Sequence, residues 1–113
     1  MKRGEIWLIN LDPTIGAEIR KTRPAVIVSS DALGILPLKV IVPITDWKNN
    51  YAAAAWMVKL DPNATNNLSK TSAADCFQVR SVSQLRMVRK IGEVEAVKMI
   101  EMEDALAKVL KIR

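Results

Sequence analysis

Residues 18–31 read Glu-Ile-Arg-Lys-Thr-Arg-Pro-Ala-Val-Ile-Val-Ser-Ser-Asp, a polar segment that turns into a continuous apolar run. Pro24 lies at the change between the two halves. Its ring fixes its own φ and biases the preceding residue, Arg23, toward an extended conformation. The stretch therefore predicts a strand from Pro24 to Ser30, with the guanidinium of Arg23 held at the start of that strand. An arginine in such a place is most often a solvated surface cation, so the rest of the chain must decide between the two interpretations.

The composition predicts one globular domain over residues 1–113. Half of the residues are apolar and 26% are charged, which separates this chain from disordered sequences. The formal net charge is +5, and a basic small domain favours an acidic partner, most often nucleic acid. A single cysteine excludes an internal disulfide, and the first residues lack the apolar core of a signal peptide. We therefore expect a cytoplasmic protein without a membrane segment.

The absence of histidine narrows the possible chemistry. The sequence contains no histidine and one cysteine, so it lacks both the commonest general base and the commonest metal ligand. We expect neither a metal site nor a cofactor. Any catalysis must then depend on carboxylates, hydroxyls, arginines or lysines.

Apolar runs separated by turn residues predict five or six short strands, followed by one amphipathic helix of about four turns that begins near Glu93. The predicted strands cover residues 4–11, 24–30, 39–45, 56–60, 72–82 and 89–92. Pro43 cannot donate to a sheet ladder, which predicts that the third strand is an edge strand or is bulged there. The expected fold is mainly β, a small and partly open β-barrel with the C-terminal helix packed against it. The apolar face expected on this helix consists of Val97, Met99, Ile100, Met102, Leu106, Val109 and Leu110.

Two connections carry side chains of possible functional interest. The loop from Asp12 to Arg23 is long for a hairpin and strongly charged, which is typical of functional loops. Residues 46–55 are interpreted as a mobile loop whose Trp47 and Tyr51 could stack on unpaired bases. The alternative is that one of these two rings packs on the barrel. Trp7 and Trp56 lie in apolar runs and are expected in the core.

Several short motifs occur in one order along the chain: Arg-Gly-Glu-Ile-Trp at 3–7, Leu-Asp-Pro-Thr at 11–14, Thr-Arg-Pro at 22–24, Val-Pro-Ile-Thr at 42–45 and Gln-Val-Arg-Ser at 78–81. In this order and spacing they resemble the MazF/PemK toxins over essentially the whole chain. The resemblance implies an SH3-like barrel of the PemK/CcdB type that forms a homodimer. It implies a sequence-specific, metal-independent endoribonuclease (mRNA interferase) that cleaves single-stranded RNA. It also implies a cognate antitoxin as protein partner, within a type II toxin–antitoxin system.

The same resemblance implies catalytic roles for Arg23 and Thr45 and functional importance for Glu18. The chemistry of these side chains fits such roles. A planar guanidinium can bind two phosphate oxygens at once, a threonine hydroxyl can orient a phosphate oxygen or the attacking 2′-hydroxyl, and a carboxylate can accept the proton. The residues expected to bind RNA are Arg20, Lys21, Trp47, Lys48, Tyr51 and Gln78.

Two positions depart from the family pattern. Some members have an aspartate directly before the glutamine of the Gln-x-Arg motif and a histidine before the loop glutamate, where this chain has Phe77 and Ala17. The residue that moves the proton therefore stays open. We expect Phe77 to serve stability more than chemistry, Arg80 to pair with a carboxylate, and Cys76 to be a core residue rather than a nucleophile.

Two other functions stay open at this point. The first is a toxin of the same fold that poisons gyrase through an aromatic-containing C-terminal tail, whereas this chain ends Leu-Lys-Ile-Arg at 110–113. The second is an RNA-binding module that binds through the same loops without cutting.

Overall fold

The fold is built around one antiparallel sheet, seen in a computed structural model that describes residues 1–112. The strands are β1 (Glu5–Asn10), β2 (Thr22–Ile27), β3 (Leu38–Asp46), β4 (Met57–Leu60), β5 (Ser72–Asp75), β6 (Arg80–Ser83) and β7 (Met87–Glu93), and they are followed by the helix α1 (Ala96–Leu110). Short 3-10 helices occupy Asp31–Leu33, Asn49–Ala53, Cys76–Gln78 and Gln84–Arg86.

The central strand of this sheet is β3. The strand order is β4-β5-β3-β2-β1-β7, and β6 pairs with β3 off this path. β3 pairs with β2 along Ile41–Pro43, with β6 along Leu38–Ile41 and with β5 along Ile44–Asp46. The predicted class, a mainly β fold with one C-terminal helix, is confirmed, although the sheet stays open between β4 and β7.

Strand residues alternate between two core clusters because successive side chains of a strand point to opposite faces of the sheet. In β2, Val26 belongs to the first cluster and Ala25 to the second. The first cluster also takes Met102 and Ala105 from α1 and thereby packs the helix onto its face of the sheet. The second cluster consists of Ile9, Leu11, Ala25, Ile27, Ile41 and Val82, with Trp7, Ile19 and Met87 packed against it.

Of the two alternatives predicted at Pro43, an edge strand or a bulge, the edge strand is wrong, because β3 has neighbours on both sides. On one side Pro43 lies opposite Ala25 of β2. On the other side, β6 pairs with β3 as far as Ile41, and β5 begins to pair only at Ile44. Pro43 therefore lies where the second neighbour changes, and a residue without an N–H removes no ladder hydrogen bond on that side.

The strand predicted over residues 72–82 is divided into β5 and β6. Between them, Cys76–Gln78 forms one 3-10 turn whose first N–H groups need a partner, and the carboxylate of Asp75 accepts a hydrogen bond from the Phe77 N–H at 3.1 Å. The turn lets the chain leave one half of β3 and pair again with its other half. Likewise, residues 46–55, interpreted from the sequence as a mobile loop, contain the 3-10 helix Asn49–Ala53.

The helix buries a narrower face than its sequence predicts. Met102 and Ala105 are buried and Met99 and Leu106 partly so, whereas Val97, Ile100 and Leu110 are more than half exposed in the described structure. α1 therefore keeps an exposed apolar surface next to its core face. Within the described part of the chain, no helix combines the length and the apolar character needed to cross a membrane.

Candidate active site

Arg23 and Thr45 are brought together by the pairing of β2 with β3. β2 begins at Thr22, so Arg23 lies inside the strand, opposite Ile9 of β1. In the next pair of strands Ala25 lies opposite Pro43. Arg23 lies two residues before Ala25 and Thr45 two residues after Pro43. Because the two strands are antiparallel, both side chains lie toward the same end of the pair and on the same face of the sheet. Both side chains line one pocket of about 220 Å³. We call it the Arg23–Thr45 pocket.

The Arg23–Thr45 pocket combines cationic and hydroxyl groups. Arg23 is half-buried, which limits the positions of its guanidinium. Hydroxyls come from Thr22, Thr45, Ser69 and Ser72, and an ammonium comes from Lys70, which pairs with Asp46 at 3.0 Å. Such a set of donors suits an anion with several oxygens, such as a phosphodiester. Lys70 was not singled out from the sequence, where it stands in an ordinary turn segment.

A second and larger pocket of about 490 Å³ lies beside the first. It is lined by Ala17, Glu18, Ile19, Pro43, Phe77, Gln78, Val79 and Arg80. We call it the loop groove, because one wall is the loop between β1 and β2. Pro43 lines the loop groove and Thr45 lines the other pocket, and two residues on one face of a strand are about 7 Å apart. The two pockets are therefore neighbours along β3.

Gln78 holds the β1–β2 loop against the sheet. Its Oε1 accepts a hydrogen bond from the Ile19 N–H at 2.5 Å, and its Nε2 donates to the Ala17 carbonyl at 3.1 Å. Both ends of the side-chain amide are thus engaged by the backbone on either side of Glu18. The structure gives Gln78 a loop-positioning contact that its sequence motif did not reveal, because the partner lies about sixty residues earlier in the chain.

The base of the same loop is closed by local contacts. The carboxylate of Asp12 accepts a hydrogen bond from the Lys21 N–H at 3.0 Å, and the Leu11 N–H donates to the Lys21 carbonyl at 2.9 Å. Lys21 has a φ of 69°, in the left-handed region that turns the chain back sharply. The loop therefore delivers the chain into β2, with Arg23 two residues after the turn.

Glu18 lies in the loop groove and not in the Arg23–Thr45 pocket. Its Oε1 accepts a hydrogen bond from the Ile15 N–H at 2.5 Å, which closes a turn inside the loop. Arg20 and Lys21 follow it as exposed cations. The structure thus separates the three predicted catalytic residues into a pair, Arg23 and Thr45, and a third residue in the adjacent groove.

Arg80 supports the sheet within the described chain through a carbonyl instead of the predicted carboxylate, and its predicted role at a dimer contact stays a prediction. Its Nη1 donates to the Leu11 carbonyl at 3.4 Å. Arg86 donates to the carbonyls of Asn10, at 3.2 Å, and of Asp12. These two arginines hold the end of β1, where the loop begins.

Trp47 and Tyr51 lie in a third pocket, of about 360 Å³, together with Lys98, Glu101 and Asp104 of α1. Their rings meet edge to face, with centroids 5.8 Å apart, and the Lys59 Nζ lies 5.3 Å from the centroid of Trp47. Both rings are half-buried, and Lys48 is exposed beside them. The structure does not bring this pair into the Arg23–Thr45 pocket or into the loop groove.

The prediction that Trp56 belongs to the core is wrong. Trp56 precedes β4 and is 40% exposed, and its ring meets Phe77 edge to face at a centroid distance of 5.9 Å. Phe77 is itself 65% exposed. An apolar neighbourhood in the sequence predicted burial, but the end of an edge strand leaves one side of a large ring uncovered. Trp7, by contrast, is half-buried, and its indole N–H donates to Glu5 at 2.9 Å.

Two buried groups stand under the Phe77 turn. Burial raises the pKa of Asp75, while hydrogen bonds from Phe77 and Gln78 act in the opposite direction. Burial, together with the neighbouring Asp75 charge, raises the pKa of the Cys76 thiol to about 12. The expectation that Cys76 is a core residue is confirmed, since it is fully buried, and a protonated buried thiol is a poor nucleophile.

Comparison with known proteins identifies related sequences over almost the full length. The family described as PemK-like, MazF-like toxin of type II toxin-antitoxin system matches residues 2–110. Endoribonuclease MazF9 of Mycobacterium tuberculosis is 34% identical over 112 residues, which cover 94% of this chain and 92% of the relative. Endoribonuclease PemK of Escherichia coli is 40% identical over 83 residues, which cover 73% of this chain and 60% of the relative.

Solved structures share the fold. MazF from Deinococcus radiodurans superposes with a TM-score of 0.81 at 23% identity, covering 98% of this chain and 96% of that one. An endoribonuclease from a mycobacterial species, solved in complex with its cognate antitoxin, superposes with a TM-score of 0.78 at 19% identity, covering 100% of this chain and 97% of that one.

Proposed function

Because this chain belongs to the PemK-like, MazF-like toxins of type II toxin–antitoxin systems, we propose that it is the endoribonuclease toxin of such a pair and that its substrate is single-stranded RNA. The observation that carries the proposal is the Arg23–Thr45 pocket, where two strands place a half-buried guanidinium and a hydroxyl side by side. The proposed place of action is the cytoplasm, where messenger RNA is accessible.

The proposed reaction uses the RNA's own 2′-hydroxyl as nucleophile. Its oxygen attacks the adjacent phosphorus and loses its proton to a base, and the bond to the 5′-oxygen of the next nucleotide breaks. The leaving oxygen takes a proton from water, so that a 2′,3′-cyclic phosphate and a 5′-hydroxyl result. The attack is intramolecular, so the protein mainly has to position groups and stabilise charge. Arg23 would bind the two non-bridging oxygens, where negative charge builds up in the transition state, and Thr45 would orient a phosphate oxygen or the 2′-hydroxyl.

The proton acceptor proposed for this reaction is Glu18. Its carboxylate is exposed, in the groove next to the pocket, and accepts a hydrogen bond from the Ile15 N–H of its own loop. The proposed role requires the loop to carry this carboxylate toward a bound ribose. The pH–rate profile of Glu18→Gln tests this role: we expect a lower rate and the loss of the acidic limb. An unchanged rate and limb would assign the proton to Arg23 or to water.

RNA binding is proposed for the exposed loop cations Arg20 and Lys21, which can contact phosphates. In the sequence they lie between Glu18 of the loop groove and Arg23 of the other pocket. The contribution proposed for Gln78 is indirect, through the position of the loop. We do not extend the proposal to Trp47, Lys48 and Tyr51, because Trp47 and Tyr51 line the pocket beside α1.

The proposed protein partners are a second copy of the chain and an antitoxin. The net charge of +5 favours an acidic antitoxin segment that competes with RNA. Val97, Ile100 and Leu110 leave an apolar surface on α1 that a symmetric homodimer could cover. Light scattering that shows only monomer at micromolar concentration would contradict the dimer.

The decisive experiment incubates a defined RNA with the protein in the presence of EDTA. Among residues 1–112, no three His, Cys, Asp or Glu side chains converge as metal ligands, so we expect cleavage to persist, with 5′-hydroxyl and cyclic or 3′-phosphate ends. Binding without cleavage would favour an RNA-binding module. Activity that vanishes with EDTA and returns with Mg²⁺ would contradict the mechanism.

A further inference from the structure

Two aromatic rings are exposed at the edge of the loop groove. Of the five aromatic side chains, all within residues 1–112, only Trp56 and Phe77 are exposed, whereas Trp7, Trp47 and Tyr51 are half-buried. Phe77 lines the groove, and Trp56 meets it edge to face at 5.9 Å with 65° between the ring planes. Leaving two large rings in water forgoes hydrophobic stabilisation that burial would provide, so their exposure calls for a reason.

The backbone beneath these rings is fixed on both sides. The Cys76 N–H donates to the Trp56 carbonyl at 3.0 Å, which ties the two ring-bearing segments to each other. Asp75 caps the turn through the Phe77 N–H, and the Cys76 side chain is fully buried in the first core cluster. The backbone that carries both rings is thus ordered before any ligand arrives, so a ligand that contacts the rings need not order this part of the chain.

The position of the pair matches a nucleic acid that reacts in the next pocket. Phe77 and Pro43 line the loop groove, and Pro43 is two residues from Thr45 on the same face of β3. An RNA strand with its phosphate in the Arg23–Thr45 pocket can therefore reach the groove with a neighbouring nucleotide. The net charge of +5 favours that strand over an apolar ligand, and every base has a flat face that stacks on an aromatic ring.

We propose that Trp56 and Phe77 form a stacking platform for an unpaired nucleobase next to the scissile phosphate. This subsite rests on the proposed endoribonuclease function and deepens it. The ring of Phe77 offers the stacking face, Trp56 supports it from the side, and Gln78 and Arg80 form the adjacent polar wall of the groove. Stacking accepts any base, so the platform supplies affinity and positions the strand without selecting a sequence.

The test compares Phe77→Ala, Phe77→Leu and Phe77→Tyr with the unchanged protein. Affinity is measured on an RNA whose cleavage site carries a 2′-deoxy sugar, and rates are measured on the cleavable RNA. We expect Phe77→Ala and Phe77→Leu to weaken binding and raise KM about tenfold, with kcat changed much less. Phe77→Tyr should keep the affinity and the KM of the unchanged protein. Leu33→Ala is the matched control, because Leu33 is 66% exposed on the short helix Asp31–Leu33, lines neither the loop groove nor the Arg23–Thr45 pocket, and should leave binding unchanged.

Trp56 provides an independent readout, since a stacked base near it should quench tryptophan fluorescence when the uncleavable RNA is added. Quenching that is lost in Trp56→Phe but present in Trp47→Phe supports the platform. Full rescue by Phe77→Leu would show that the site needs apolar packing and not an aromatic face, and unchanged affinity in Phe77→Ala would overturn the platform outright. A dimer that Phe77→Ala converts to monomer would assign the surface to a second copy.

The same measurements separate this subsite from the proposed function. If the unchanged protein cleaves RNA while Phe77→Ala binds equally well, the platform falls and the endoribonuclease stands. If the unchanged protein binds the RNA through Phe77 but cuts no cleavable RNA, the platform stands and the endoribonuclease falls. An absence of both binding and cleavage removes both.

Discussion

The molecule carries two aromatic pairs of nearly the same internal geometry and very different surroundings. Trp47 and Tyr51 meet edge to face at 5.8 Å, and Trp56 and Phe77 do so at 5.9 Å. The first pair is half-buried beside α1, with an ammonium close to one ring, whereas the second is exposed at the groove next to the Arg23–Thr45 pocket.

The difference shows that residue type alone does not identify a base-binding ring. In the sequence, Trp47 and Tyr51 stand in a polar segment that looks like a binding loop, and Trp56 stands in an apolar run that looks like core. Sheet pairing reverses the second impression, because it leaves Trp56 exposed beside the groove, and it places the first pair beside the helix. The comparison predicts opposite phenotypes: loss of stability at the first pair and loss of RNA affinity at the second.

The largest effect is expected at Arg23, in the pocket next to the second aromatic pair. Arg23→Ala should lower the cleavage rate about a hundredfold to a thousandfold, because a transition-state donor is lost. Affinity for the 2′-deoxy RNA should fall much less, since the other cations remain. Single-turnover rates and binding curves measure the two effects, with Arg89→Ala as the control for charge, because Arg89 is an exposed arginine on β7. Equal losses of rate and affinity would recast Arg23 as a simple phosphate anchor.

Trp47→Ala tests the first pair directly. Removal of a half-buried ring that contacts Tyr51 and lies near Lys59 should lower the free energy of unfolding by about 2 kcal/mol. RNA affinity should change little, because Trp47 lines neither the Arg23–Thr45 pocket nor the loop groove. Urea unfolding and RNA binding of the same preparation provide the answer. An intact stability with a large loss of affinity would return this pair to the RNA-binding surface.

Gln78→Ala tests the loop that forms one wall of the groove beside the second aromatic pair. Two hydrogen bonds to the β1–β2 loop are lost, each worth about 1 kcal/mol, so we expect kcat/KM to fall about tenfold. Amide hydrogen exchange should rise at residues 15–21 while the exchange of β3 is unchanged. Gln78→Glu keeps the acceptor for Ile19 but not the donor for Ala17. Its kcat/KM should therefore lie between those of the unchanged protein and Gln78→Ala. Faster exchange with unchanged activity would show that the loop position does not matter for cleavage.

The smallest effect concerns the turn that carries Phe77. Burial raises the pKa of Asp75 above its ordinary value of 3.8, so between the ordinary and the raised pKa the folded protein binds more protons than the unfolded chain. Stability should therefore fall as the pH rises through that window, and the loss should persist above it. Asp75→Asn keeps an acceptor for the Phe77 N–H without the charge, so its stability should lack this pH dependence. Thermal unfolding across mildly acidic pH provides the comparison, and parallel curves for the two proteins would contradict it.

Much of the architecture is encoded in local sequence. Apolar runs bounded by glycine, proline and asparagine placed most of the strands, and the change to helical spacing after Glu93 placed α1 within a few residues of its bounds, Ala96–Leu110. The motif around Pro24 correctly placed Arg23 on extended backbone, because the proline ring acts on its immediate neighbour. The ordered set of motifs indicated the family, and that resemblance marked Arg23 and Thr45 as candidate catalytic residues.

The neighbours of each segment follow from the tertiary fold and not from local sequence. Pro43 suggested an edge, but it lies in a central strand at the gap between β5 and β6, which depends on pairings with two distant segments. The contacts of Gln78 with Ala17 and Ile19, and the exposure of Trp56, depend in the same way on partners far along the chain. Strand propensity and the restrictions imposed by proline act over one or two residues, so local sequence predicts the secondary-structure elements. The ordered motifs identify the family. Register and partner choice result from the simultaneous burial of both faces of the sheet, and they alone determined that Arg23 meets Thr45 while Glu18 lies in the adjacent groove.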